Sequence, residues 1–285
     1  MTWDVAVAGT FHSDDLTTPA GRHDALGGSA VYFSLAASRY APVHVNGIVG
    51  TDTVAGYRRI LDRPSIHLDG LVVSTSPTFR WHAVHDFGRW VTAHESSEPG
   101  CDPLWEATLS EQSRRAEVLF VGSMDPALQH RVIDQSSARL IGLDSMTEFI
   151  ETRPVDLAAV LRKIDILFLT GAELGALTGS DDWRRSAARL CGTGRLRAVV
   201  VKHGPAGAAC VTASTLVEKP ALAVAAVVDP TGAGDALAGG FLGHVAMAMR
   251  TDDDLFGPAL AEGLGLAAEA IVAFGTAGLA VTGTV

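Results

Sequence analysis

The sequence predicts an α/β fold: a mainly parallel central sheet with helices on both faces and a small β layer over one edge. Three observations carry this expectation. Short apolar runs alternate with helix-spaced segments over most of the chain, as they do where parallel strands are buried on both faces. The 285 residues are 47% hydrophobic and 19% charged, which supplies a sizeable core and argues against gross disorder. Two stretches, about 10–24 and 79–102, lack the strand–helix rhythm and supply the β layer. With no internal repeat and no low-complexity linker, residues 1–285 are read as a single domain.

The elements follow in order. Val5–Gly9 is a short apolar run ending in glycine, read as a buried strand. Thr10–Asp24 is polar, holds Pro19 and Gly21, and is read as loop or edge structure. Gly27 and Gly28 open a helix over Ser29–Tyr40, which Ser29 is placed to cap. His44–Val49 is a strand and Thr53–Leu61 a helix. Leu71–Ser74, Phe79–His85 and Arg89–Ala93 read as strands, and Glu95–Asp102 as loop. Strands are then expected at Val118–Gly122, Leu140–Leu143, Ile166–Leu169, Ala198–Lys202, Ala208–Val211 and Val224–Val228. Between and after them come helices at Pro126–Ser136, Pro154–Lys163, from Glu173 to Leu177, and at Trp183–Cys191, Gly232–Met249 and Gly257–Phe274.

Composition narrows the function classes. A net charge of −10 repels phosphate backbones and argues against general nucleic-acid binding, while leaving room for a local basic pocket. The three cysteines, Cys101, Cys191 and Cys210, are widely spaced, so neither a disulfide scaffold nor a cysteine-rich zinc site is expected. No apolar run is long enough to span a bilayer, and the N-terminus has no basic region before its first apolar stretch, so a cytoplasmic protein without membrane partners is expected.

The strongest chemical signal is Asp229–Gly240, DPTGAGDALAGG. An apolar run leads into a glycine-rich turn that opens a helix. Gly232, Ala233 and Gly234 have little or no side chain, so their backbone N–H groups can approach an anion, and the helix N-terminus adds its positive dipole end. Asp235 stands where a simple anion binder would avoid an acid. A carboxylate beside a phosphate cradle makes sense if it takes the proton of a hydroxyl that attacks a phosphoryl group. The bland alternative is a tight turn with Asp235 as a helix cap.

DPTGAGDALAGGF resembles the C-terminal signature of the ribokinase/PfkB family of carbohydrate and nucleoside kinases. Gly27-Gly28-Ser29-Ala30 resembles that family's N-terminal diglycine motif, and ALGGSAVYFSLAAS followed by Val49, Gly50 and Asp52 keeps its order and spacing. Gly9 through Asp14 resembles its first strand and substrate-binding aspartate. Gly204 and Gly207, in VVKHGPAG, sit where the family has a nucleotide-contacting turn. The resemblance runs from Val5 to about Gly278 and implies a ribokinase-like fold with a small β lid.

It also implies roles. Asp235 would be the general base, with Gly232, Ala233 and Gly234 as the anion hole. Asp14, Gly27, Gly28 and Ser29 would hold the phosphoryl acceptor, while Glu173, Lys202, Gly204, Gly207, Gly232 and Gly234 would lie along the nucleotide. Asp229 and Thr231 match positions that help bind a monovalent cation such as K⁺, and Glu173 would organise Mg²⁺ through water. ATP with Mg²⁺ would be the phosphoryl donor. The family's N-x-x-E motif stands here as Thr170-Gly171-Ala172-Glu173, Ser29 replaces an asparagine common in sugar kinases, and Lys202 replaces a small hydroxyl residue.

The remaining features are weighed on chemistry. Phe79 and Trp81 alternate with Arg80 on one expected strand and so share a face, where they would stack on a base or a sugar, or pack the lid. Phe11 is expected at the mouth of the acceptor site. The apolar Phe79, Trp81 and Trp90 also suit a homodimer through the lid. His82, His85 and His94 do not share the spacing of a metal site, and Asp252–Asp254 reads as a solvated acidic helix start. The chain is thus expected to transfer the γ-phosphoryl of ATP to a primary hydroxyl of a nucleoside or a sugar. The alternatives are a vitamin-type hydroxymethyl kinase and a catalytically silent binder acting as a regulator.

Overall fold

Along β1 (Val5–Ala8), side chains alternate between two cores. Val5 and Val7 face one, and Ala6 and Ala8 the other, with all four fully buried. The same division runs through β8 (Val118–Val121), β10 (Ile166–Thr170) and β11 (Ala198–Lys202). Continuous apolar runs are therefore what this sheet requires, because neither face meets water. The computed structural model describes residues 2–87 and 91–280.

Nine strands form the central sheet in the order β13-β12-β11-β10-β9-β8-β1-β4-β5. The others are β4 (Val43–Gly50), β5 (Ile66–Ser74), β9 (Leu140–Asp144), β12 (Ala208–Thr212) and β13 (Leu216–Lys219). All neighbours pair parallel except β11 with β12 and β12 with β13. A second sheet has the order β3-β2-β6-β7, from β2 (His12–Thr18), β3 (Gly21–Gly27), β6 (Phe79–Asp86) and β7 (Val91–Glu98).

Helices α1 (Ser29–Ala37), α2 (Val54–Ile60), α9 (Ala233–Ala248), α10 (Phe256–Ala270) and α11 (Ala277–Ala280) carry buried or partly buried side chains of the first core. Behind α3 (Glu111–Arg115), the helices α4 (Pro126–Gln135), α5 (Thr147–Thr152), α6 (Pro154–Leu161), α7 (Gly171–Thr178) and α8 (Trp183–Leu190) cover the second. In the first layer the helices meet at backbone distance. A Cβ on Gly239 would lie 2.5 Å from the Phe33 carbonyl, and one on Gly263 the same distance from the Leu237 carbonyl. Glycine inside a helix costs roughly 1 kcal/mol against alanine, and here that cost is what lets α1, α9 and α10 touch.

The expected α/β architecture and the β lid are both present, with local differences. Thr10–Asp24, read as loop or edge, is strand β2 and most of β3, paired antiparallel from His12–Gly27 to Thr18–Gly21. Part of Glu95–Asp102, read as loop, continues β7. Both are polar because a lid sheet has one face in water. Of the expected strand Arg89–Ala93, Arg89 and Trp90 lie outside the described residues, and the rest belongs to β7. Val224–Val228, read as a buried strand, is irregular and largely solvent-facing. Val228 instead donates its N–H to the Ile271 carbonyl just past α10 (2.8 Å).

A ladder of phenylalanines crosses the first core. Phe33 stacks on Phe120 with centroids 4.3 Å apart, and Phe120, Phe168, Phe241 and Phe256 continue at 5.6–6.1 Å. Because Phe120 has ring partners on both sides, Phe120→Ala is expected to cost about 3–5 kcal/mol. A denaturant titration measures it, and a loss under about 1 kcal/mol would show that the ladder does not hold this core together.

Candidate active site

The chain runs outward from β1 through β4 to β5, then returns to β8 and proceeds the other way. The crevice between β1 and β8 is therefore a topological switch point, where α/β sheets bind ligands at their carboxyl ends. A cavity of about 1050 Å³ opens there beneath the lid sheet, lined by residues from both sheets. Its floor is a close three-way contact. The Ser29 hydroxyl accepts the Thr10 N–H (3.0 Å), and Cβ atoms on Gly9 and Gly122 would fall 2.7 and 2.4 Å from it. Gly28, just before, has φ +102°, and a side chain there would meet the Thr10 carbonyl at 2.3 Å. Glycines at these positions let the start of α1 reach the ends of the two central strands.

At one end of the cavity Asp14 projects from β2. It is 1% exposed, and among the described residues neither carboxylate oxygen has a hydrogen-bond partner. Burial, reinforced by the charge of Asp229, pushes its carboxyl well above the usual carboxylate range. Gly27 does not line the cavity but makes room for Asp14, since a Cβ would sit 2.4 Å from Oδ2. His12 approaches the same carboxylate at 3.9 Å and stacks on Phe79 with centroids 4.4 Å apart. Burial pushes the His12 ring down to about 4, so it is neutral at physiological pH. Phe79 and Trp81 both line the cavity, as their alternation requires. Phe11 does not: it is fully buried behind the site, edge-on to Tyr57 at 5.0 Å.

The glycine-rich turn forms the middle of the site. Gly232, with φ +75°, caps the sixteen-residue α9, and its missing side chain accommodates Tyr32, whose ring would meet a Cβ at 2.2 Å. Gly232, Gly234 and Asp235 line the cavity, but Ala233 does not. Its N–H turns back to the Pro230 carbonyl (3.3 Å), which closes the turn and leaves that donor occupied. Burial, then the charge of Asp144, pushes the Asp235 carboxyl up to about 7, with Lys202 opposing. Tyr32 was not singled out by the sequence. It is fully buried, lines the cavity, and its hydroxyl has no partner among the described residues. Burial and the charges of Asp229, Asp14 and Asp235 keep it a neutral phenol, a donor aimed among acids.

At the other end, Lys202 reaches Asp144 with Nζ 2.6 Å from Oδ2, and its Nζ lies 3.1 Å from where a Gly234 Cβ would be. Against the cost of burial, Asp144 and Glu173 keep this ammonium charged. Asp144 is a second residue the sequence reading missed, ending its strand one residue early at Leu143. An acid at the carboxyl end of a parallel strand was the available signal. Thr170 and Glu173 form a capping box: Thr170 Oγ1 accepts the Glu173 N–H (3.2 Å), and Glu173 Oε2 accepts the Thr170 N–H (2.6 Å). Glu173 lines the cavity with one carboxylate oxygen already engaged. Gly204 and Gly207 do not reach the cavity. Gly204 starts a short 3₁₀ turn, and Gly207 is pressed against the Lys219 carbonyl, where a Cβ would sit at 2.1 Å.

Asp229 is fully buried. Its Oδ1 accepts the Thr231 N–H and its Oδ2 the Gly275 N–H, both at 2.9 Å, so it ties the glycine-rich turn to the chain beyond α10. Thr231 Oγ1 meets His85 Nε2 of the lid at 3.2 Å. His82 pairs with Asp15 at 3.2 Å and Glu98 at 3.5 Å. Among the described residues no three His, Cys, Asp or Glu side chains are grouped to hold a metal ion, and no helix is long and apolar enough to cross a membrane.

Comparison with known proteins agrees with this geometry. The cytidine kinase of Thermococcus kodakarensis is 26% identical over 248 residues, covering 84% of this chain and 87% of that protein. A nucleoside kinase of Methanocaldococcus jannaschii, an archaeal member of the ribokinase family, superposes with a TM-score of 0.77 at 18% identity, over 95% of this chain and 92% of the other. A ribokinase of Arabidopsis thaliana, solved with ribose and ATP, gives 0.77 at 19% identity over 96% and 94%. Residues 116–283, more than half of the chain, match the profile of the pfkB family carbohydrate kinases. With the fold, the switch-point cavity and this match in agreement, the chain belongs to the pfkB family and is a sugar or nucleoside kinase.

Proposed function

We propose that this enzyme transfers the γ-phosphoryl group of ATP to a primary hydroxyl of a nucleoside, with Asp235 as the general base. The observation that carries this reading is one cavity holding an acid at a helix N-terminus, an unpartnered buried aspartate and a row of aromatics. Asp14 accepts sugar hydroxyls, which supply the hydrogen bonds its buried oxygens lack. Asp235, poised near neutrality, takes the proton of the attacking hydroxyl. The N–H groups around Gly232 and Gly234 and the dipole of α9 meet the charge on the transferring group. Lys202 adds a fixed positive charge beside them, with Asp144 as its counter-ion. Phe79 and Trp81 flank a planar base more usefully than a free pentose, and the cytidine kinase relative supports the same choice.

ATP as donor is supported by structural relatives solved with it, among them the ribokinase above. The donor set suits Mg²⁺, an ion that takes oxygen ligands and keeps several waters. Glu173 would hold it through water, with its second carboxylate oxygen. When bound, the ion would supply positive charge to offset that of the phosphates. Asp229 and Thr231 would be the residues beside a K⁺ ion at the turn, with each Asp229 oxygen already accepting one backbone N–H. A homodimer through the lid and a cytoplasmic setting complete the proposal.

An ATP-consumption screen over sugars and nucleosides tests the reading directly. Asp235→Asn is expected to lower kcat by about a hundredfold or more while nucleotide affinity stays within a few-fold. Near-normal turnover would remove Asp235 from the mechanism. Because a base must be ionised and burial holds this proton to about 7, kcat/KM should rise with pH through that value in the parent enzyme. A profile flat from pH 6 to 8 would contradict it. Trp81→Ala should raise the nucleoside KM about tenfold if the ring stacks on the base; an unchanged KM assigns it to lid packing.

Tyr32→Phe separates stability from function. Removing a buried hydroxyl without a partner is expected to leave unfolding stability unchanged or raise it by about 1 kcal/mol. The same change should lower kcat/KM for the acceptor about tenfold if that hydroxyl meets the substrate. A thermal melt and steady-state kinetics on one preparation give both numbers.

A further inference from the structure

The acceptor end of the cavity contains a donor and an acceptor that the chain itself does not use. After β7 the chain turns through a 3₁₀ helix, Asp102–Leu104, and Trp105 follows it. Residues three apart in such a turn lie on the same side, and Asp102 and Trp105 both line the cavity. Trp105 is 7% exposed, and its indole Nε1 has no hydrogen-bond partner among the described residues. Asp102 Oδ1 is buried and likewise without a partner. A buried donor and a buried acceptor left open in one cavity wall are costly to a fold unless something binds them.

The turn is built onto the aromatic wall. Gly100, just before it, has φ +50° and approaches so closely that a Cβ would lie 2.7 Å from the Phe79 backbone nitrogen. Asp102 and Trp105 thus follow directly on a segment packed against the Phe79 backbone, and they line the same cavity as Phe79, His12 and the buried Asp14. Burial pushes the Asp102 carboxyl up to about 7, as expected for an acid with no cation at hand. A sugar held by Asp14 would not exhaust a cavity of about 1050 Å³ whose lining includes both the aromatics and the turn.

We propose that Asp102 and Trp105 form the edge-reading subsite for the base of a nucleoside acceptor carrying an exocyclic amino group, as cytosine and adenine do. The Asp102 carboxyl accepts an amino N–H, and the Trp105 indole N–H donates to the adjoining ring nitrogen or carbonyl. The inference rests on the kinase reading of the same cavity and names which acceptors it takes. A site built to hydrogen-bond a substrate group discriminates strongly against analogues that lack it. Cytidine should therefore be preferred over uridine, and adenosine over inosine.

The test uses the full chain with MgATP and five acceptors: cytidine, uridine, adenosine, inosine and ribose. The parent enzyme is expected to favour the amino-bearing member of at least one nucleoside pair at least tenfold in kcat/KM. Asp102→Leu should raise KM for that nucleoside at least tenfold with kcat within a few-fold, and leave ribose kinetics little changed. Trp105→Phe should act in the same direction and decides the matter alone if Asp102→Leu fails to fold. Equal losses on nucleosides and ribose would make the turn structural and overturn the proposal, as would the absence of any amino preference in the parent. Turnover of ribose alone would also defeat it while leaving the kinase reading intact, whereas turnover of none of the five would defeat both.

Discussion

The site depends on how closely the start of α1 can approach the ends of β1 and β8. Strands in a parallel sheet lie about 4.8 Å apart, and a helix normally packs against their faces rather than their ends. Here Ser29 reaches the junction because Gly9 and Gly122 have no side chains, and Gly28 adopts a backbone conformation that other residues resist. Any side chain at Gly9 or Gly122 would push α1 outward. Tyr32, one turn along, would then leave its position against Gly232, and the acceptor end of the cavity would lose its register with the glycine-rich turn. The closeness of this one crossing thus sets the alignment of the two ends of the cavity.

The electrostatics of the cavity follow from what that alignment brings together. Asp14, Asp102, Asp144, Glu173 and Asp235 all line it, against one lysine. Asp229 lies buried behind the turn, and its charge is felt at Asp14 and Tyr32. The raised carboxyls of Asp14, Asp102 and Asp235 share one first cause, burial. Lys202 is the local counterweight, held charged by Asp144 and Glu173. Such an enclosure favours the arrival of positive charge and of hydroxyl donors.

The fold was legible in the sequence wherever burial was complete. The runs at Val118–Gly122, Ile166–Leu169 and Ala198–Lys202 could only be strands covered on both faces, and the structure has them. Legibility failed where one face meets water. The polar strand β2 read as loop or edge structure, while the apolar Val224–Val228 read as a strand although it joins neither sheet. In the site, glycine spacing pointed to Gly232, Gly234 and Asp235, because a cradle needs small residues in a row. Gly204 and Gly207 were named from the resemblance alone; they lie off the cavity wall, and only Gly207 is pressed against a neighbouring backbone. Tyr32 escaped notice because a single phenol has no pattern, and Asp144 because its strand was ended one residue before it. Their significance comes from what lies opposite them in space. Thr170 stood out as a substitution, and its local consequence is a closed capping box rather than a lost contact.

The glycine contacts among α1, α9 and α10 have a consequence for how such an enzyme can change over evolutionary time. With backbones touching at Gly239, Gly243 and Gly263, these helices behave as one slab that admits almost no insertion of volume. The N-termini of α1 and α9 both belong to that slab, so the chemistry is fixed to an unyielding part of the molecule. The lid sheet, which joins α1 through Gly28, and the turn after β7 carry Phe79, Trp81, Asp102 and Trp105. Substitutions in the lid strand and the turn leave that packed slab untouched, so one wall of the cavity can vary while the other is held.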